Sequence, residues 1–256
     1  MISDILWTYG FTYLIMWALI FFRYVVVAGI FYLLFFKLKG HQFKAKRIST
    51  KLRKPKQTQK EIWNSFISSG IFAFGGTLLI YMWENGHTKV YVDITQFGVW
   101  YLFISTAIFL FIHETYYYWL HRWMHHPKIY RLVHRMHHDS IATSPWTSFS
   151  FDIPETFLQA IFVPVMVFLL PMHFGVVLFL LILMTVSATI NHLDIEIYPA
   201  NFNRHFIGKW LIGATHHSLH HSEFVTNYGL YFTFWDRWMG TESKKFDERF
   251  DEVTEG

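Results

Sequence analysis

Residues 98–138 read GVWYLFISTAIFLFIHETYYYWLHRWMHHPKIYRLVHRMHH, and this stretch decides the fold. Its first half, about 98–120, is an apolar run of the length that crosses a bilayer, roughly 20 residues. Its second half holds two histidine boxes, His121-Arg-Trp-Met-His125 and His134-Arg-Met-His137-His138. A third box, His217-Ser-Leu-His220-His221, lies further along the chain. Residues three and four apart share a helix face, so each box presents two or three imidazoles on one stripe. Neutral imidazole is the commonest metal ligand and suits iron, zinc, copper and nickel. Eight of the 16 histidines lie in these boxes. That is more than one ion takes, so the arithmetic points to two metals.

Composition agrees with a membrane setting. Hydrophobic residues make up 53% and charged residues 16%, against roughly a quarter charged in soluble domains. There is no cysteine, so no disulfide and no thiolate metal site. Further apolar runs cover about 9–36, interrupted by Arg23, and about 65–83. Region 157–191 is apolar but broken by Pro164, Pro171 and His173, and reads as a hairpin of two short crossings. The expected fold is all-α, a single membrane domain over 1–256 with about four transmembrane helices and a cytoplasmic histidine-rich helical cap. Residues 1–10 carry no Lys or Arg, so the first run is expected to stay as a membrane helix and not leave as a signal peptide.

Charge placement sets an orientation. Residues 37–60 hold ten Lys or Arg and no acid, directly after a span. The positive-inside rule places them on the cytoplasmic side and makes nucleic acid the weaker account. The three runs within 9–120 then deliver boxes one and two (121–150) to the cytoplasm. The hairpin returns 192–241, with box three, to the same side. The tail 242–256, with six acids and three bases, is expected to be a solvated end with little fold of its own.

Residues 113–138, quoted above, and 215–241, THHSLHHSEFVTNYGLYFTFWDRWMGT, together resemble the fatty acid hydroxylase/sterol desaturase superfamily of membrane non-haem di-iron enzymes. The resemblance rests on Glu114 seven residues before His121, Tyr118-Trp119, His121-Arg122, and box three followed by Asn227-Tyr228-Gly229 and Trp235-Asp236-Arg237. Within it, Ser144-Pro145, Phe157-Leu158-Gln159 and the stretch from Tyr228 to Thr233 are most similar to the sterol C5-desaturases. It covers about residues 100–241. The chain departs at Phe149 and Asp152, where the family often carries further histidines, and at Glu114, where the sterol enzymes often have Asp.

The resemblance, with the spacing, implies metal ligands at His121, His125, His134, His137, His138, His217, His220 and His221, and a ninth at His192. A bound imidazole needs its other N–H held by an acceptor. Glu114, Asp139, Asp194, Glu196 and Asp236 are the candidates, with Asp194 and Glu196 as alternative direct ligands. An ion pair with Arg237 or Arg122 is the alternative for Asp236. His216 neighbours a ligand but points about 100° away, and is expected to support the site from behind. His113 and His126 are expected not to be ligands, and His41, His87, His173 and His205 are expected in loops or turns. Trp146 and Phe149 are candidates for a substrate channel.

The implied cofactors are two iron ions, with O2 as co-substrate for attack on an unactivated C–H bond of a membrane lipid, sterol-like or fatty-acyl. Other lipids (an ether lipid, a sphingolipid, a carotenoid) are the alternatives within the class. No nucleotide-binding glycine motif or fused haem domain is visible, so electrons are expected from a separate haem or iron–sulfur carrier with its reductase. From other classes, a zinc hydrolase needs about three protein ligands, which these boxes overfill. A metal transporter would place its ligands near the bilayer midplane, not after the spans.

Overall fold

The computed structural model describes residues 2–255, with side chains from Trp7 onward. Helix α1 (Ile2–Tyr32) continues through a π-helical turn at Leu33–Leu38. Helices α2 (Gln57–Glu84) and α3 (Val99–Met124) follow. Two single-turn helices, α4 (Tyr130–Val133) and α5 (Arg135–His138), carry box two. Then come α6 (Ile153–Ala160), α7 (Phe162–Leu169) and α8 (Phe174–Asn191). Helices α9 (Ala214–Glu223), α10 (Phe234–Met239) and α11 (Phe246–Glu255) complete the chain. Strands β1 (Val90–Tyr91) and β2 (Met172–His173) pair in parallel. The chain is an all-α membrane bundle.

Four helices are long and apolar enough to cross a membrane: Trp7–Leu38, Gln57–Glu84, Val99–Met124 and Phe174–Asn191. No more than 33% of any of these windows is buried inside the protein. Their outer faces instead carry exposed Phe11, Leu14, Leu19, Phe22, Phe103 and Phe179. Helices apolar all round are stable when the surrounding solvent is hydrocarbon and every backbone group is bonded within the helix.

The 157–191 region is a helical pair turning at Pro171, but of the two short crossings expected there only Phe174–Asn191 is long and apolar enough to span a membrane. Its first arm is short and broken. Pro164 has no N–H to give the carbonyl four residues back, that of Ala160, and the helix is interrupted at Ile161. α2 approaches this break closely at Gly75, where a Cβ would stand 3.1 Å from the Ala160 carbonyl oxygen. At the end of the bundle away from the histidines, the turn at 171–173 is tied to the loop after α2. Met172 N–H donates to Lys89 O (3.2 Å) and Lys89 N–H to Val167 O (2.8 Å).

The basic segment 37–60 is built into the fold. Ile48 N–H donates to Asp194 O and Glu196 N–H to Lys46 O. Ile48 packs with Leu193, Ile195, Ala214 and Val253. Residues 57–60 already form the first turn of α2. Just inside that turn, Glu61 is buried and gathers Arg53 (2.5 Å), Gln57 (2.8 Å), Ser140 and Thr147 (both 2.9 Å). One carboxylate thus joins α2 to the chain leaving box two and to the turn at 145–149.

The tail corrects an expectation. Residues 246–255 are a helix whose Phe246, Phe250 and Val253 are buried. These three lie four and three residues apart on one face. Phe246 and Phe250 pack on Leu219 of α9. Arg204 pairs with Asp251 (2.6 Å), and the Arg249 guanidinium donates to Ile48 O. The dense charge is the outer face of an amphipathic helix. Removing the Phe250 ring should cost about 3–5 kcal/mol. Phe250→Ala is therefore expected to lower the thermal midpoint of the detergent-solubilised protein. An unchanged midpoint would mean that the tail does not pack.

Candidate metal centre

Two transmembrane helices deliver histidines from the bilayer, and two short elements supply the rest. His121 sits in the last turn of α3, and His125 follows its end. His192 caps the end of α8. Box two lies on α4–α5, where Asp152 accepts the N–H groups of Met136 (2.9 Å) and His137 (3.3 Å) and so fixes the start of α5. Box three lies on α9.

All nine sequence-selected histidines converge, in two groups. His121, His125, His134, His138 and His220 form one; His137, His192, His217 and His221 form the other. Within each group the potential ligand atoms lie within 4.8 Å of one another. Boxes two and three each serve both groups. Residues four apart (134 and 138, 217 and 221) share a face and stay together. Neighbours such as 137 and 138 diverge by about 100° and part.

Hydrogen bonding fixes which nitrogen each ring offers. His121 Nδ1 donates to Tyr228 O (2.9 Å) and His134 Nδ1 to Glu155 Oε2 (2.8 Å). Their Nε2 atoms then carry lone pairs, and these face each other at 3.0 Å. In the second group His137 Nδ1 donates to Ser150 O (3.1 Å) and His192 Nδ1 to Ala188 O (2.7 Å). Their bare Nε2 atoms stand 3.2 Å apart. His220 Nδ1 donates to Thr226 O (2.6 Å), leaving its Nε2 3.0 Å from that of His138. Lone pairs held this close repel unless a cation lies among them. The buried nitrogens His125 Nε2 and the Nδ1 atoms of His138, His217 and His221 have no hydrogen-bond partner. This donor set fits metal ions at both groups.

Burial also keeps the rings neutral, the form that binds metal. It pushes His125 down to about 2, His192 to about 3 and His137 to about 4. His134, His138, His217, His220 and His221 are held well below the ordinary 6.5 by burial first and by neighbouring imidazoles second.

The expected acceptors are elsewhere. Glu114 takes the N–H groups of Leu230, Tyr231 and Phe232 (2.6–3.2 Å). Asp236 takes those of Tyr228 and Gly229 (2.9 and 2.8 Å) and makes no pair with Arg237, which binds Glu242. These two acids therefore shape the loop whose Tyr228 carbonyl orients His121, one step removed from the ring. Glu196 accepts from Tyr198 and Thr215 N–H at the start of α9, and Asp194 from Ser49 N–H. Asp139 pairs with Lys60 at the surface. His216 is buried against Phe246 with neither ring nitrogen partnered. None of these six hydrogen-bonds to a ring of either group. Backbone carbonyls take that role: those of Tyr228, Ser150 and Thr226 in loops and that of Ala188 one turn before His192 in α8.

The acid that does reach a ring, Glu155, was missed. Its signal was present: it is the sole acid in 153–191, and an acid in an apolar run needs a partner. His113 lies outside both groups, its Nδ1 2.9 Å from Tyr231 OH. His126, His41, His87 and His205 are exposed, and His173 is half-buried. Trp146 and Phe149 lie in the 145–149 turn against Tyr24 of α1. Phe151 continues the aromatic line to His137, ring centres 5.2 Å apart.

Comparison with known proteins places this site in context. The fatty acid hydroxylase family model matches residues 106–241. A Delta(7)-sterol 5(6)-desaturase of Gibberella zeae is 32% identical over 193 residues, covering 75% of this chain and 58% of that protein. Human lathosterol oxidase is 33% identical over 169 residues, covering 64% and 54%. A Delta(7)-sterol 5(6)-desaturase of Saccharomyces cerevisiae is 33% identical, covering 65% and 44%. The chain thus spans roughly half the length of these relatives. No solved structure is significantly similar.

Two outcomes follow from this geometry. A Cβ on Gly229 would come 2.6 Å from Phe232 O and 3.0 Å from Glu114 Oε1. Gly229→Ala should therefore cost about 1–3 kcal/mol and loosen His121; unchanged stability and metal affinity would contradict this. The second concerns pH. Unfolded histidines titrate near 6.5, and the buried ones lower, so between these values the unfolded chain binds more protons. The metal-free protein should then lose stability as pH falls from about 7 to about 5. Asp152, Glu155, Asp194, Glu196, Asp236 and Glu242, raised by burial, act oppositely. They number six against nine lowered histidines, His216 included. A thermal midpoint that rises with acidification would sink the argument.

Proposed function

Because this chain belongs to the fatty acid hydroxylase family, we propose that it is a membrane oxidoreductase that hydroxylates or desaturates an unactivated C–H bond of a membrane lipid, using O2 and a di-iron centre. The observation that carries this reading is the pair of histidine groups, five and four strong, whose bare Nε2 atoms face one another about 3 Å apart. Imidazole suits iron, and two closely neighbouring groups supply ligands for two ions. A single-zinc hydrolase would leave most of these ligands without a use. When bound, two ferrous ions with O2 supply an oxidant strong enough for an unactivated C–H bond.

The chain's own residues aim, insulate and admit. Tyr228, Ser150, Ala188 and Thr226 carbonyls and Glu155 hold the Nδ1 hydrogens and so direct Nε2 inward. Eight of the nine rings are buried, which keeps bulk water from the reacting carbon. Trp146, Phe149 and Phe151, packed around Tyr24 and leading to His137, are the wall along which a rigid apolar skeleton would be guided. The substrate we favour is a sterol, the class named in the desaturase relatives. The histidine site faces the cytoplasm, supported by the ten Lys and Arg of 37–60. Electrons come one at a time from a separate haem or iron–sulfur carrier.

Purified protein should contain about two irons per chain, and His137→Ala or His220→Ala should each remove at least one and abolish product formation. Expressed with a Δ7-sterol pool, the wild type should yield a sterol lighter by two hydrogens or heavier by one oxygen. One zinc per chain, or metal content indifferent to both substitutions, would overturn the proposal. Glu155→Ala frees the His134 ring and should weaken metal binding about 10–100-fold. Unchanged affinity would remove Glu155 from the site.

A further inference from the structure

We infer that the surface formed by residues 126–135 is the docking face for an acidic one-electron carrier, and that electrons enter at the five-histidine group through Tyr130 and His125. The inference rests on the oxidoreductase reading above. Its starting point is burial: of the nine histidines, eight are buried and only His125 is partly open to the surface. The ring next to that opening is Tyr130. Its centre lies 5.5 Å from that of His125, 5.9 Å from His138 and 6.5 Å from His134. Tyr130 is half-buried, so it bridges the outside and three members of one group, and it contacts no ring of the other group.

The surroundings have the chemistry of an interface for an acidic protein. Lys128, Arg131 and Arg135 are exposed, and among the described residues none of their side chains makes an ion pair or hydrogen bond. From Thr115 to His138 there is no acid at all. The carboxylates beside it are already engaged: Asp152 with the N–H groups of Met136 and His137, Asp139 with Lys60, and Glu223 with Lys245. Amid these cations Leu132 is 73% exposed, an apolar centre with a charged rim, as transient protein interfaces have. Such a rim speeds encounter with a partner of opposite charge. The residues come after the end of α3, so the face stands beyond that span. In each docking event the carrier loses one electron and the group held by the five histidines gains one. No bond is made or broken and no proton is transferred.

The test uses the full chain in nanodiscs of neutral phospholipid, with an acidic [2Fe–2S] ferredoxin as probe. The measurement is the equilibrium Kd by surface plasmon resonance, at low and high salt. Lys128→Glu/Arg131→Glu should weaken binding about tenfold or more, and salt should weaken the wild type in the same way. Lys39→Glu/Lys44→Glu makes the same change of net charge within 37–60 and should leave Kd within about twofold. Leu132→Asp should weaken binding without altering the thermal midpoint. Equal weakening by both double variants would overturn the inference in favour of net charge alone, and no weakening by Lys128→Glu/Arg131→Glu would overturn it outright. If Trp123 fluorescence shifts when phosphatidylserine is added while Kd is insensitive to Lys128→Glu/Arg131→Glu, the face lies on lipid and the inference fails. Iron content, measured on the same samples, reports separately on the oxidoreductase reading. Metal absent with face-specific binding intact would sink that reading and leave the docking face standing.

Discussion

Everything in this molecule answers to one constraint: uncharged imidazole nitrogens must be pointed at each other, bare, inside a protein that has little water to offer them. A ring left free would rotate its hydrogen inward and relieve the crowding. It is prevented from doing so by the bond on its far side, in five of the nine cases a carbonyl or Glu155 at 2.6–3.1 Å. The structure can therefore be read as a set of braces for these far sides. α3 and α8 bring His121 and His192 to the membrane's edge. Thr226 and Tyr228, the 150–155 segment and Ala188 of α8 itself then supply the acceptors.

Those braces need bracing in turn, and that is where the buried carboxylates are. Glu114 and Asp236 between them collect five backbone N–H groups from residues 228–232, more than the loop could satisfy within itself. Asp152 holds the start of α5, and Glu196 the start of α9. A carboxylate that accepts several N–H groups is a rigid corner, and these corners keep short helices in place that could not persist alone.

Much of this was legible in the sequence. The apolar runs located four spans, because hydropathy over some 20 residues leaves few alternatives. Spacing within the boxes picked out eight of the nine histidines that meet, and the family resemblance supplied the ninth, His192. The partition into five and four was not visible, since it depends on how α5 and α9 are rotated relative to two other helices. Nor was the identity of the ring acceptors: a carbonyl carries no signature in the residue that bears it. Tyr228, Ser150, Ala188 and Thr226 contribute backbone, so their side chains gave no hint. Glu155 could have been found, as a solitary acid among apolar neighbours. The tail was misjudged because its charge was weighed before its periodicity. Phe246, Phe250 and Val253 form a stripe that a count of charges hides.

Boxes two and three straddle both histidine groups, and this has an evolutionary consequence. α5 is a single turn and α9 about three turns of backbone, so a shift of either that retunes one group displaces ligands of the other. The two groups cannot be altered separately. Exposed side chains beyond α3 such as Lys128, Arg131 and Leu132, which hold no ligand or brace, are where change leaves the geometry of both intact.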